Sequence, residues 1–156
     1  MNKADELAAK LKQTRLTDNT EQAIEGWPEQ VYQLYQRLET WLVPLTEAGL
    51  TLRRNPTHVH ESDRQGDTHD YAIDQLVITG NRHSLTFDPV ARFTEDGEGR
   101  IEIHSQVNEF ALLRTVDEHG ETHWWLQTVE QATAQLDAVA LTETDLLVVV
   151  QQGLAL

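Results

Sequence analysis

Apolar residues in the first 49 positions recur every three or four residues, the spacing that places them on one face of a helix. A short helix is predicted over residues 3–16, and a second begins after Asp18, whose spacing from Glu21 is typical of a capping box. Pro28 then suits the first turn of a third and longest helix. The apolar face of that helix comprises Val31, Leu34, Tyr35, Leu38, Trp41, Leu42 and Leu45.

The period of the pattern changes to two after residue 49, which is typical of β-strands. Turn signals such as Gly80 followed by Asn81 separate the apolar runs at intervals expected for an antiparallel meander. Six strands are predicted, over residues 50–61, 69–79, 82–93, 100–107, 109–116 and 122–129. The alternation places Leu85, Phe87, Phe93, Ile101, Ile103 and Val107 on one dry face, which the long helix is expected to cover.

The last part of the chain combines weaker signals. Small and polar residues from position 130 favour a loop, residues 136–141 favour an edge strand, and Thr142 with Asp145 predicts a capped C-terminal helix. We therefore expect one α+β domain over residues 1–156, built of N-terminal helices (1–49), an antiparallel meander of about six strands (50–129) and a C-terminal segment of loop, edge strand and helix (130–156).

Charge is distributed unevenly along the chain. The 156 residues include 26 carboxylates and 12 lysines and arginines, for a net charge of −14. All three lysines lie within the first twelve positions, and seven carboxylates with no lysine or arginine follow Arg114. A surface of this kind repels nucleic acids and anionic membranes and attracts basic partners. Composition therefore favours a basic protein as the partner and disfavours direct binding to nucleic acid or membrane.

Several kinds of chemistry lack the residues that they require. The absence of cysteine removes disulfides, thiolate nucleophiles and cysteine-ligated metals. No serine lies in a nucleophile elbow, and no glycine-rich phosphate loop is present. We predict no catalytic residues and no cofactor, and a non-enzyme is favoured. The N-terminus has no apolar leader and the longest aliphatic run is five residues, which predicts a cytoplasmic protein without a membrane segment.

Two groups of residues are candidates for a site. His58 and His60 lie two apart on a predicted strand, and a hairpin that places His69 opposite His60 forms a three-imidazole metal site. A solvated hairpin explains the same residues without a metal. Trp124 and Trp125 are adjacent on another strand, so one ring faces the core and the other faces solvent or a partner. We include Trp124, Trp125, Glu118 and Glu121 as candidate partner-binding residues.

Three functional hypotheses follow. The leading one is a small acidic cytoplasmic protein-binding module, of the inhibitor, immunity-protein, chaperone or adaptor type, that recognises a basic partner protein. A second is a metal-dependent enzyme or metal-binding protein centred on His58, His60 and His69. A third is a nucleic-acid mimic whose carboxylates are spaced like phosphates, although a net charge of −14 over 156 residues is sparse for that role.

Overall fold

The N-terminal segment forms one long helix rather than three. The computed structural model describes residues 2–94, 97–128 and 138–156, with side chains throughout these ranges except over residues 9–25. Helix α1 (Lys3–Trp41) begins at Asn2, whose Oδ1 accepts the backbone N–H of Asp5 at 2.8 Å. The predicted start of a helix at Pro28 is wrong, because Pro28 lies inside α1. Trp27 and Val31, on either side of it, are fully buried, and their packing overrides the local proline signal.

A short helix connects α1 to the sheet. Helix α2 (Val43–Glu47) has Pro44 in its first turn, where the missing N–H has no partner to lose. Gly49 follows with a φ of 114°, a conformation that glycine adopts without strain. Among the described residues, no helix is long and apolar enough to cross a membrane.

The predicted antiparallel meander is confirmed, and among the described residues it has seven strands rather than about six, each paired with its neighbours in the chain. The seventh strand lies within the predicted edge strand, whereas residues 130–137 of the loop predicted over 130–139 lie outside the described residues. The strands are β1 (Thr51–Ser62), β2 (Thr68–Gly80), β3 (His83–Ala91), β4 (Arg100–His104), β5 (Glu109–Val116), β6 (Thr122–Thr128) and β7 (Val139–Ala140).

The C-terminal helix α3 (Glu143–Gly153) begins with the predicted capping box. Thr142 Oγ1 accepts the N–H of Asp145 at 3.2 Å, and Asp145 Oδ2 accepts the N–H of Thr142 at 3.3 Å. Helices α1 and α3 contribute to one buried cluster with the apolar face of the sheet. Its members include Leu34, Leu38, Leu42, Leu85, Phe87, Ile101, Ile103, Leu112, Leu146 and Val150.

Two residues predicted for the dry face lie elsewhere. Val107 is 54% exposed, because β4 ends at His104 and the hydroxyl of Ser105 turns the chain by accepting the N–H groups of Val107 and Asn108. Phe93 is only partly buried, since the register shifts between Pro89 and Ala91 and β3 ends before it.

The face that β2 turns toward the core changes halfway along the strand. Leu76 and Ile78 belong to the core in one half, whereas in the other half Ile73 belongs to it and Tyr71 packs against it, so the parity reverses between Ile73 and Leu76. At the reversal, the N–H of Asp74 donates to the hydroxyl of Tyr32 at 3.0 Å. The hydroxyl of Tyr35 donates to the carbonyl of Asp74 at 2.9 Å.

The pairing between strands changes at the same point. Hydrogen-bonded pairing of β2 with β3 runs from Gly80–His83 only as far as Leu76–Phe87, while β1 and β2 stay paired to the tip of their hairpin. The outer half of the β1–β2 hairpin thus turns its odd-numbered residues toward the helix side of the sheet, which places His69 on that side.

Candidate functional site

The loop between β5 and β6, residues 117–121, is held by a single aspartate. Asp117 Oδ1 accepts the N–H groups of His119 at 2.9 Å and Glu121 at 3.0 Å, and its Oδ2 lies 2.9 Å from Nε2 of His123. The hydrogen bond with His123 and those with the backbone lower the pKa of Asp117. Gly120 supplies the positive φ, 79°, that the turn requires. Glu118 and Glu121 are therefore exposed on a rigid loop.

The two tryptophans of β6 face opposite sides of the sheet, as the alternation predicted. Trp124 is 7% exposed and its ring lies 6.0 Å from that of Trp27. Trp125 is partly exposed on the other side, where its Nε1 donates to Thr115 Oγ1 at 2.9 Å. Of the four candidate partner-binding residues, Glu118 and Glu121 lie on this loop, and Trp124 and Trp125 lie on opposite faces of the sheet.

Trp124 and Glu121 line a groove of about 410 Å³ between α1 and the β5–β6 hairpin. Thr122 connects β6 to α1 and to β5. Its hydroxyl donates to Gln30 Oε1 at 3.1 Å and accepts from Arg114 Nε at 3.2 Å. We call this cavity the α1–β6 groove. It is lined by Gln30, Gln33, Leu34, Arg37, Gly120, Glu121, Thr122 and Trp124.

The loop at the hairpin end of the groove is rich in carboxylates. Asp117, Glu118 and Glu121 lie within five positions of one another, and no lysine or arginine follows Arg114 in the sequence. Arg114 itself is buried, and its guanidinium donates to Thr122 Oγ1 and to the carbonyl of Glu98. That cation is directed into the protein, so it screens the loop carboxylates little from an approaching molecule.

A second group of carboxylates lies on the sheet face away from α1. Asp88 and Glu102 are direct cross-strand partners, an arrangement that destabilises a sheet unless a cation is near. His104 Nε2 lies 3.3 Å from Glu102 and 3.9 Å from Asp88, and Arg100 also approaches Glu102, at 3.7 Å. These carboxylates already have basic neighbours, whereas no ion pair of Glu118 is found in the part of the chain that the structure describes.

The three candidate metal-binding histidines are not brought together. The observed register pairs His60 with Asp70 and Glu61 with His69, so the predicted pairing of His60 with His69 is wrong by one residue. His58 and His60 are exposed on one side of the hairpin, while His69 faces the other and bonds to Asp63. Among the described residues, the one group of three ligand-type side chains with converging atoms is Asp117, Glu121 and His123, within 4.8 Å of one another.

The loop between β1 and β2, residues 63–67, repeats the bonding of the β5–β6 loop. Asp63 Oδ1 accepts the N–H groups of Gln65 at 2.9 Å and Asp67 at 3.0 Å, and its Oδ2 lies 2.8 Å from His69 Nε2. The signal for this likeness is in the sequence: residues 63–69 and 117–123 each run aspartate, two variable residues, glycine, an acidic residue, threonine and histidine.

Comparisons with other proteins add no relative. The chain matches no protein-family model, and no curated protein or solved structure is similar to it. Functional inference therefore depends on the side chains of this protein alone.

Proposed function

We propose that this protein is a small acidic protein-binding module, of the inhibitor, immunity-protein, chaperone or adaptor type, and that it recognises a basic partner protein at the hairpin end of the α1–β6 groove. The observation that carries the proposal is the position of Glu121. It is exposed on a loop that also presents Glu118 and that borders a groove lined by Trp124.

Three physical features support this surface over other parts of the chain. The Asp117 hydrogen bonds hold the loop in one conformation, so that little conformational entropy is lost when a partner binds. Negative potential at an exposed loop accelerates association with a basic protein. An aromatic residue in a groove is typical of the centre of a protein interface.

The test begins with affinity purification from the native host at low salt, followed by identification of the captured chain and measurement of its binding kinetics. We expect a basic partner whose association rate constant falls as salt rises, because screening shortens the reach of the loop carboxylates. A neutral or acidic partner with salt-insensitive association would contradict the proposal.

Charge-neutral variants locate the surface. The double variant Glu118→Gln, Glu121→Gln is expected to slow association several-fold at low salt, since rim charges act mainly on the association rate. The matched control is Glu47→Gln, an exposed carboxylate on α2 at the opposite end of the sheet. Equal slowing by the control would show that net charge, and not this loop, directs binding.

A further inference from the structure

We propose that Asp117, Glu121 and His123 bind a zinc ion at the end of the β5–β6 hairpin. Zinc binding is a further property of this protein and does not depend on the recognition of a basic partner. Three features of the hairpin support it: the kind and spacing of the donor atoms, the charge of the two carboxylates, and the contrast with the β1–β2 loop.

The three side chains offer donor atoms of the kinds that zinc takes. Two carboxylates and one imidazole each provide one atom, and these atoms all lie within 4.8 Å of one another. Zinc binds such atoms at about 2.0–2.2 Å, so the ligand atoms of a tetrahedral site are about 3.3 Å apart. Asp117 Oδ2 and His123 Nε2 are already 2.9 Å apart, and the exposed side chain of Glu121 can rotate to close the remaining distance.

The carboxylate of Asp117 is oriented before a metal binds. Its Oδ1 accepts the N–H groups of His119 and Glu121, which leaves Oδ2 directed at His123. Zinc takes the place of the proton between Oδ2 and Nε2, and the neutral imidazole then carries its proton on Nδ1. Three protein ligands leave the fourth tetrahedral position to water, which reaches the site because Glu121 and His123 are exposed.

The charge of the two carboxylates is not balanced by a lysine or an arginine. Within the described part of the chain, neither Asp117 nor Glu121 forms an ion pair with such a residue, and His123 is the basic neighbour of Asp117. Arg114 directs its guanidinium to Thr122 Oγ1 and to a backbone carbonyl. A divalent cation can therefore bind the two carboxylates without breaking an existing ion pair.

The β1–β2 loop has the same sequence pattern but no third converging donor. Asp63 and His69 form the corresponding pair, and Asp67 stands where the second loop has Glu121. The converging group found among the described residues includes no side chain of this loop. Aspartate is one methylene shorter than glutamate, and Asp63 is buried, so we expect the β1–β2 loop not to bind zinc.

Zinc titration of the full-length protein, purified without a histidine tag, tests the site. The titration is repeated in the double variant His58→Gln, His60→Gln, which removes an exposed histidine pair that can bind metals adventitiously. In both proteins we expect calorimetry to show the same zinc affinity at one ion per chain. In ¹⁵N spectra, zinc should shift the amides of Glu121 and His123 and leave those of the β1–β2 loop in place. Magnesium should bind far more weakly, because imidazole is a poor ligand for that hard cation.

Three single variants identify the ligands. Glu121→Asp keeps the charge but shortens the side chain to the length found in the β1–β2 loop, and His123→Gln removes the imidazole. Each is expected to weaken zinc binding by about tenfold or more, whereas Glu118→Gln, which removes a neighbouring carboxylate, should change it little. All three side chains are exposed, so the fold is retained, and Asp117 is left unchanged because its bonds hold the loop.

Several results would overturn the inference. Loss of binding in the His58→Gln, His60→Gln variant would mean that zinc binds the histidine pair of β1. Equal binding of magnesium, or equal weakening by Glu118→Gln, would mean a general attraction of cations to carboxylates. Unchanged affinity in Glu121→Asp or His123→Gln, or no zinc binding at all, would also contradict it. None of these results affects the proposed partner recognition, which is measured in the presence of a chelator.

Discussion

The β1–β2 and β5–β6 loops are built alike but have different surroundings. Each is fixed by an aspartate that accepts two backbone N–H groups through Oδ1 and holds a histidine through Oδ2, with corresponding distances that agree within 0.1 Å. Both lie at the same end of the sheet, because alternate turns of an antiparallel meander share an end. The shared sequence pattern therefore determines a loop conformation wherever it occurs in this fold.

The surroundings of the two aspartate–histidine pairs differ. The side chain of Asp63 is 1% exposed and that of His69 20%, whereas Asp117 and His123 are 31% and 49% exposed. His69 packs on the ring of Phe93, with centroids 5.9 Å apart. The first pair is part of the folded interior, whereas the second faces solvent.

The parity reversal at Asp74 accounts for this difference. In each hairpin the histidine is followed by two residues that point to opposite sides: Asp70 and Tyr71 in the first, Trp124 and Trp125 in the second. The first hairpin packs the second of its two residues, Tyr71, against the core, and the second hairpin buries the first of its two, Trp124. The same turn motif therefore carries two different surfaces, because the two hairpins turn different alternate positions toward the core.

The largest expected effect follows from this reversed burial. Trp124→Ala should lower the free energy of unfolding by roughly 3–5 kcal/mol, the cost of removing a buried tryptophan, and Trp125→Ala by a smaller amount. In the first hairpin the order should invert, with Tyr71→Ala costly and Asp70→Ala nearly neutral, since Asp70 is exposed. Denaturant unfolding of the four variants measures the pattern, and the same order in both hairpins would contradict the reversal.

The hydroxyl of Tyr35 tests the cause of the reversal. Tyr35 is fully buried, and Tyr35→Phe leaves the carbonyl of Asp74 without its donor, at a cost of about 1–3 kcal/mol. Hydrogen exchange should show lost protection in the outer half of the β1–β2 hairpin and unchanged protection in the β5–β6 hairpin. Equal loss in both hairpins would mean that Tyr35 stabilises the whole sheet and does not hold the reversal.

Periodicity was sufficient to predict much of the fold. The strands were predicted within a few residues, and β5 at its observed bounds, because alternation of apolar residues follows directly from burial of one face. The helical breaks near Asp18 and Pro28 were wrong because helix propagation and the packing of Trp27 outweigh local turn propensity. The core position of Val107 was wrong because alternation does not show where a strand ends.

The site was less accessible to such reasoning. Adjacent tryptophans predict opposite faces, and this was confirmed, but the partnership of Trp124 with α1 depends on a helix about ninety residues earlier in the chain. The histidine pairing failed because a change of one residue in register moves every side chain to the other face. The repeated loop pattern contains the information that corrects it, since each aspartate selects the histidine six positions later.

The loop glycines should behave identically in the two hairpins. Gly66 and Gly120 have φ angles of 89° and 79°, and a Cβ at either position meets nothing within 4 Å. Substitution by alanine therefore introduces backbone strain without a clash, at about 1–2 kcal/mol in each loop. Gly26→Ala is the control. Because Gly26 lies in α1 with open space around it, this substitution should raise the free energy of unfolding by about 1 kcal/mol. Unequal costs at Gly66 and Gly120 would show that the surroundings, and not the pattern, set the loop conformation.

The last prediction concerns the acid titration of the two aspartates. The hydrogen bond with histidine is the main cause that lowers the pKa of Asp63, as of Asp117, below the ordinary value of 3.8. A carboxyl whose pKa is lower in the folded state stabilises the protein above its unfolded pKa, and this contribution is lost as the pH falls through the folded pKa. The Asp63→Asn variant should therefore have a lower free energy of unfolding than the wild type at neutral pH, and its free energy of unfolding should decline less steeply between about pH 5 and pH 2. Asp117→Asn should flatten the acid limb in the same way, because both loops share the bond, and an unchanged acid limb in both variants would contradict the lowered pKa values.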